Sequence, residues 1–149
     1  MSRRLAALVA LLAATAIACG TGSVSGTTSG GLAGDPSPVV HVTGATITPT
    51  ADGTATLVFG AHNAGGQTDR LVGVSCGCGG TATLLDAEGD PVDGVDIAPE
   101  ETVFLGPGSA TVELAGFDDP LTPDSFVAIT VTFELAGDVQ TDAEVAPEV

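Results

Sequence analysis

Cys76 and Cys78 flank Gly77 in the run Cys76-Gly77-Cys78-Gly79-Gly80, and no other pair in the chain is better suited to chemistry. Three arrangements are open to them. The first is a disulfide, which an oxidising compartment would favour. Two residues apart along an extended strand, Cα atoms lie about 6.5 Å apart, near the upper limit for a bridge, so Gly77 would have to bend the chain. Such a bond would be strained and easily reduced, which allows a redox role. The second is a thiolate pair holding copper(I), a soft ion that sulfur ligands suit. The third is a pair of thiols with a local structural role only.

The remaining candidates are weaker. His62 ends a β-patterned run beside Asn63, and His41 lies near the start of the patterned region. Either could add a nitrogen to a metal site, although a lone His on a strand is more often an ordinary surface or packed side chain. Asp86, Glu88, Asp90, Asp93 and Asp96 crowd one segment. A calcium loop of EF-hand type beginning at Asp86 would need Gly at its sixth position and Glu at its twelfth. Pro91 and Ile97 stand there, so a solvated acidic loop is the better reading. No nucleophile elbow, zinc-protease motif or phosphate-binding Gly loop is present, and the sequence points to no enzyme.

The third cysteine marks the address. Arg3 and Arg4 precede an apolar run over 5–17, too short to span a bilayer, which takes about 20 residues. A charged start, a short apolar stretch and small residues at its end read as a secretory signal. Cys19 follows Ala16-Ile17-Ala18 and precedes Gly20. This resembles a bacterial lipobox, in which the Cys is diacylated and becomes the mature N-terminus. A lipobox usually carries Leu where Ala16 stands, and the same residues fit an ordinary signal-peptidase site. Lipid on Cys19 would supply membrane affinity without a transmembrane helix. The expectation is a chain anchored through Cys19 on the extracytoplasmic side of the cell membrane: signal peptide 1–18, lipidated Cys and Gly/Ser/Thr-rich tether 19–38, folded domain 39–146, and a short tail 147–149.

Charge limits the partners. Nineteen acidic side chains stand against three basic ones, for a formal charge of −16, and Arg70 is the one basic residue beyond the signal segment. Such a chain is repelled by nucleic acid and by anionic headgroups. Its surface would gather cations only loosely.

The elements that position these residues are β-strands. Tyr and Trp are absent, and the apolar residues are mostly Val, Leu, Ile and Ala, which suits strands around a modest core. Strands are expected over 40–48, 54–62, 70–75, 81–86, 101–105, 110–114, 126–135 and 139–145, with Gly-, Pro- and Asp-rich turns between them. The run 126–135 is clearest: Val127, Ile129, Val131, Phe133 and Leu135 share one face and Thr130, Thr132 and Glu134 the other. No helical stripe follows the signal segment. Seven to nine short strands at this spacing indicate an all-β, immunoglobulin-like β-sandwich.

An ordered series of short matches resembles the PCuAC family of periplasmic copper chaperones. It runs from Val42-Thr43-Gly44-Ala45 through Asn63-Ala64-Gly65-Gly66 and Asp69-Arg70-Leu71. It continues through Ile97-Ala98-Pro99-Glu100 and Pro107-Gly108 to Gly116-Phe117, Thr130-Val131-Thr132-Phe133-Glu134 and Ala136-Gly137. The resemblance covers nearly the whole domain and implies a cupredoxin-like β-sandwich. It also implies copper held by a His and a Met in mid-domain and by a later His-x-Met. Here the chain departs from the family. The His-x-Met falls on Thr111 and Glu113, the earlier His near Leu84 or Leu85, and the Met near Gly89, while the only Met is Met1. Copper handling would therefore have to run through Cys76 and Cys78. The alternative is an interaction or structural lipoprotein that kept the fold and lost the metal. A site at the cysteines would be a new one, because they precede a strand whose far end carries the family's first His, roughly 16 Å away along five residues.

Overall fold

A computed structural model describes residues 39–149. The expected signal peptide, Cys19 and the tether through residue 38 lie outside the described residues. The described residues belong to one compact unit, and among them every buried hydrophobic residue falls between Val40 and Val145. A chain starting at residue 20 retains every described core residue.

Among the described residues nine strands follow one another: β1 (Val40–Pro49), β2 (Thr54–Asn63), β3 (Asp69–Cys76), β4 (Thr81–Leu85), β5 (Val95–Ile97), β6 (Thr102–Leu105), β7 (Thr111–Ala115), β8 (Phe126–Phe133) and β9 (Gly137–Val145). Among the described residues there is no helix. The strands form one sheet in the order β4-β7-β2-β1-β9-β8-β3-β5, with β6 also paired to β2. Only the β1–β9 join is parallel. The sheet curls until its two halves share one core. β2 and β7 supply Ala55, Leu57, Phe59, Ala61, Val112 and Leu114 from one half, and β3, β8 and β9 supply Leu71, Ile129, Val131, Phe133, Ala143 and Val145 from the other. Alternate residues turn inward, as the period of two requires.

Two bulges keep that alternation aligned with the core. Thr43 pairs with Gly60 and Thr46 with Val58, so β1 carries one extra residue. Gly44 absorbs it at a φ of 66°, a conformation that favours a residue without Cβ. Val40 and Val42 face the core before the bulge, and Ala45 and Ile47 after it. A similar shift between Leu71 and Gly73 lets Leu71, Val74 and Cys76 of β3 all face inward.

The structure differs from the sequence expectation in two elements. The acidic segment 86–96 is not all loop: Asp86 accepts the amides of Glu88 and Asp90 to close a turn, and the chain then forms β5, paired to the start of β3. Strand β8 stops at Phe133, and Leu135 is exposed rather than inward. The cause is Asp69, 2% exposed, whose carboxylate takes the amides of Leu135 and Ala136 at 2.9 Å each and so turns the chain out of the ladder. A second buried polar residue, Asn63, closes its own Asn-x-Gly turn by accepting the Gly65 amide and donating to the carbonyls of Gln67 and Ile97.

The β1–β2 hairpin is held by Asp52, which accepts hydrogen bonds from the Thr50 and Thr54 hydroxyls and from the Thr54 amide. The Thr50 hydroxyl, then that of Thr54, holds the Asp52 carboxyl below the ordinary carboxylate value. A group whose folded pKa is depressed stabilises the fold above its unfolded pKa, and that contribution disappears as pH falls through the folded value. Asp52 is accordingly expected to titrate, by carboxylate NMR, below the ordinary Asp value, and Thr50→Val should move it back up.

Candidate functional site

Strand β3 ends at Cys76, opposite Ile129 of β8. Gly77 donates its amide to the Ala128 carbonyl at 2.8 Å, which carries the pairing one residue further. The chain then reverses, with the Gly79 amide donating to the Cys76 carbonyl at 3.3 Å and Gly79 at a φ of 82°. This turn brings the Cα atoms of Cys76 and Cys78 to 5.1 Å, and a disulfide joins them. The reach that an extended chain lacks is thus supplied by the Gly-rich turn. Cys76 packs against the core from below. Bonded to each other, the sulfurs offer no thiolate, so any metal chemistry here needs the bond reduced first.

The turn forms one wall of an open cleft of about 380 Å³. Gly77, Cys78, Asp118, Asp119, Phe126 and Ala128 are among the residues that line it. The loop after β7 leans directly on the turn: the Asp118 amide donates to the Cys78 carbonyl at 3.2 Å. A Cβ on Gly79 would collide with the Asp118 carboxylate. Phe126, 70% exposed, stands at the rim. Asp118 and Phe126 were not legible as neighbours of the cysteines, because only the β3–β8 register and the loop after β7 bring them there.

The positions at which the family resemblance implies copper ligands come together elsewhere. Leu85 pairs with Thr111 and Thr83 with Glu113 across β4 and β7. Gly89 sits in the adjoining turn at a φ of 93°, where a side chain would be strained. The fold assembles these positions at the far end of β4 from Cys78, and the residues there carry no imidazole or thioether. His41 and His62 lie on β1 and β2, in the other half of the sheet from β3. Among the described residues no cluster of three or more His, Cys, Asp or Glu side chains is placed to hold a metal ion.

Comparison with known proteins places this architecture. The apo PCuAC domain from PmoF1 is 29% identical, with a TM-score of 0.66 over 72% of this chain and 93% of that one. The copper-bound PCuAC domain from PmoF2 is 24% identical, with a TM-score of 0.65 over 72% and 92%. The solution structure of CuI-DR1885 from Deinococcus radiodurans is 21% identical, with a TM-score of 0.60 over 74% and 78%. The curled nine-strand sheet is therefore the cupredoxin-like fold of PCuAC domains. No curated protein matches the chain. The profile of the LpqE-like lipoprotein family matches residues 40–145, nearly all of the folded unit. From its first strand to its last, the chain belongs to the LpqE-like lipoprotein family and carries a PCuAC-type domain.

Proposed function

We propose that this protein is a membrane-tethered, extracytoplasmic lipoprotein whose PCuAC-type domain handles copper(I) through Cys76 and Cys78 in their reduced form. Its role is binding rather than catalysis. The family name and the export signal at residues 1–19 support the tether through Cys19. The observation that carries the copper reading is the juxtaposition of the two sulfurs at 76 and 78 by the Gly-rich turn. They are the only soft donors in the folded domain, and soft donors suit copper(I). The similar PCuAC domain from PmoF2 is described as copper-bound. An external dithiol reductant opens the bond by thiol–disulfide exchange, leaving Cys76 and Cys78 as a dithiol while the reductant becomes the disulfide, and deprotonation on binding gives the thiolates. Binding would thus be gated by redox state.

A second reading is favoured by the residues at the positions where the resemblance implies copper ligands, Leu84 or Leu85, Gly89, Thr111 and Glu113, none of which carries an imidazole or thioether. On that reading the fold has outlived its metal and serves as an interaction module at the membrane surface. An anaerobic copper(I) competition titration separates the two. The reduced soluble chain 20–149 is expected to bind one equivalent. The oxidised chain, and the variant carrying Cys76→Ser and Cys78→Ser, should bind at least a hundredfold more weakly, about 2.7 kcal/mol or more. Equal, weak binding by all three would refute the cysteine site and leave the interaction module.

A further inference from the structure

His41 and His62 are the only two histidines in the chain, and the fold sets them face to face. They are register partners in the antiparallel β1–β2 ladder. Side chains directly opposed in this way project from the same face, with Cβ atoms about 4.5–5.5 Å apart. That face is the outer one. Val40 and Val42 on either side of His41 turn into the core, as does Ala61 beside His62. His41 is exposed and His62 half-buried.

The third strand of the row completes the arrangement. Thr102 of β6 is the register partner of His62 on its other side, and its hydroxyl lies 3.0 Å from His62 Nδ1. In the tautomer with the proton on Nδ1, the ring donates to Thr102 and is fixed in orientation. Nε2 then carries the free lone pair. A ligating imidazole commonly has this support, its second nitrogen donating to a neighbouring acceptor. In the next row along the same face, the Phe104 ring lies over Gly60 beside Thr43, an apolar shoulder next to the pair.

We propose that His41 and His62 form a two-imidazole site for a divalent late first-row metal ion, with copper(II) held most tightly and solvent completing its coordination. Imidazole suits copper, zinc and nickel, and in the Irving–Williams order copper(II) binds above the others. The charge of −16 raises the local concentration of any cation near the surface. Arg70, the one basic side chain among the described residues, is on β3 and engaged with Asp96. The site is separate from the cysteine pair in place and in chemistry. It takes a borderline divalent ion by nitrogen, whereas the sulfurs suit copper(I).

The test uses the soluble chain 20–149 with its N-terminal amine acetylated and with Cys76→Ser and Cys78→Ser. Neither the amine nor the thiols can then bind or reduce the ion, and the outcome is independent of the cysteine reading. Copper(II) chloride is titrated and followed by calorimetry and by NMR of the imidazole protons. One equivalent is expected to bind. Both imidazoles should broaden together at substoichiometric copper, and His41→Gln and His62→Gln should each weaken binding at least tenfold. Affinity unchanged in either variant would overturn the proposal, as would broadening confined to one imidazole or centred on carboxylates.

Discussion

Asp69→Ala is expected to destabilise the domain by about 3 kcal/mol or more, because each buried polar group left without a partner forfeits about 1–3 kcal/mol. Among the described residues Asp69 and Asn63 are the two buried polar or charged ones. The Asp69 Oδ1 accepts the amides of Arg70 and Leu135 and its Oδ2 that of Ala136. These bonds join the start of β3 to the turn between β8 and β9, two segments that are distant in sequence. Without the carboxylate, three amides lose their acceptor at a place sized for an Asp side chain. For a domain of ordinary stability, about 5–15 kcal/mol, this is a large share, and a fall in Tm of roughly 10–20 °C should accompany it. Asp69→Asn should fall between the two. Its remaining oxygen can serve Arg70 and Leu135, but its NH2 group would face the Ala136 amide donor to donor. Urea unfolding of the three chains decides the matter. A midpoint unmoved in Asp69→Ala would mean that water replaces the carboxylate and that the corner is not held as described.

Phe59→Ala is expected to lower stability by about 3–5 kcal/mol, the range for removing a large buried aromatic side chain. Phe59 sits in the middle of β2, 2% exposed, opposite Leu105 of β6. Of the five Phe residues only Phe59 and Phe133 are buried, while Phe104 and Phe126 are each 70% exposed. With no Tyr or Trp in the chain, two rings supply the largest pieces of the core. Ala61, the next inward residue on the strand of Phe59, is too small to fill the space that ring leaves. Phe104→Ala is the matched control and should change stability by less than about 1 kcal/mol. Comparable losses in the two variants would contradict this placement of the core.

These two residues show what was and was not legible in the chain. Phe59 belongs to a run whose alternation, Ala55, Leu57, Phe59 and Ala61 against Thr54, Thr56, Val58 and His62, declares its inner face without help from the rest of the molecule. The run 126–135 declared itself equally well but too far, because nothing in its own residues foretells that Asp69 captures the amides of Leu135 and Ala136. Strand β5 was missed for the complementary reason. Val95-Asp96-Ile97 is too short and too acidic to signal a strand, and it exists because β3 offers Asp69, Arg70 and Leu71 as partners. Cys76 and Cys78 were evident as a pair, but whether the turn could join them was open. The bend at Gly77 and Gly79 depends on hydrogen bonds to the Ala128 carbonyl and from the Asp118 amide.

The sequence by itself determined the fold class and the absence of any thioether from the domain. Both are written in residue types and local periodicity: alternating Val, Ile and Thr between Gly- and Pro-rich turns, and no Met beyond Met1. Only the tertiary structure decided which residues meet. Register between strands far apart in the chain puts His41 opposite His62 and His62 beside Thr102, and it brings Asp118 and Phe126 to the cysteine turn. A strand's periodicity says which face a residue occupies. Which neighbour lies across the ladder is set by pairing and bulges, and these form only when the sheet closes around its core.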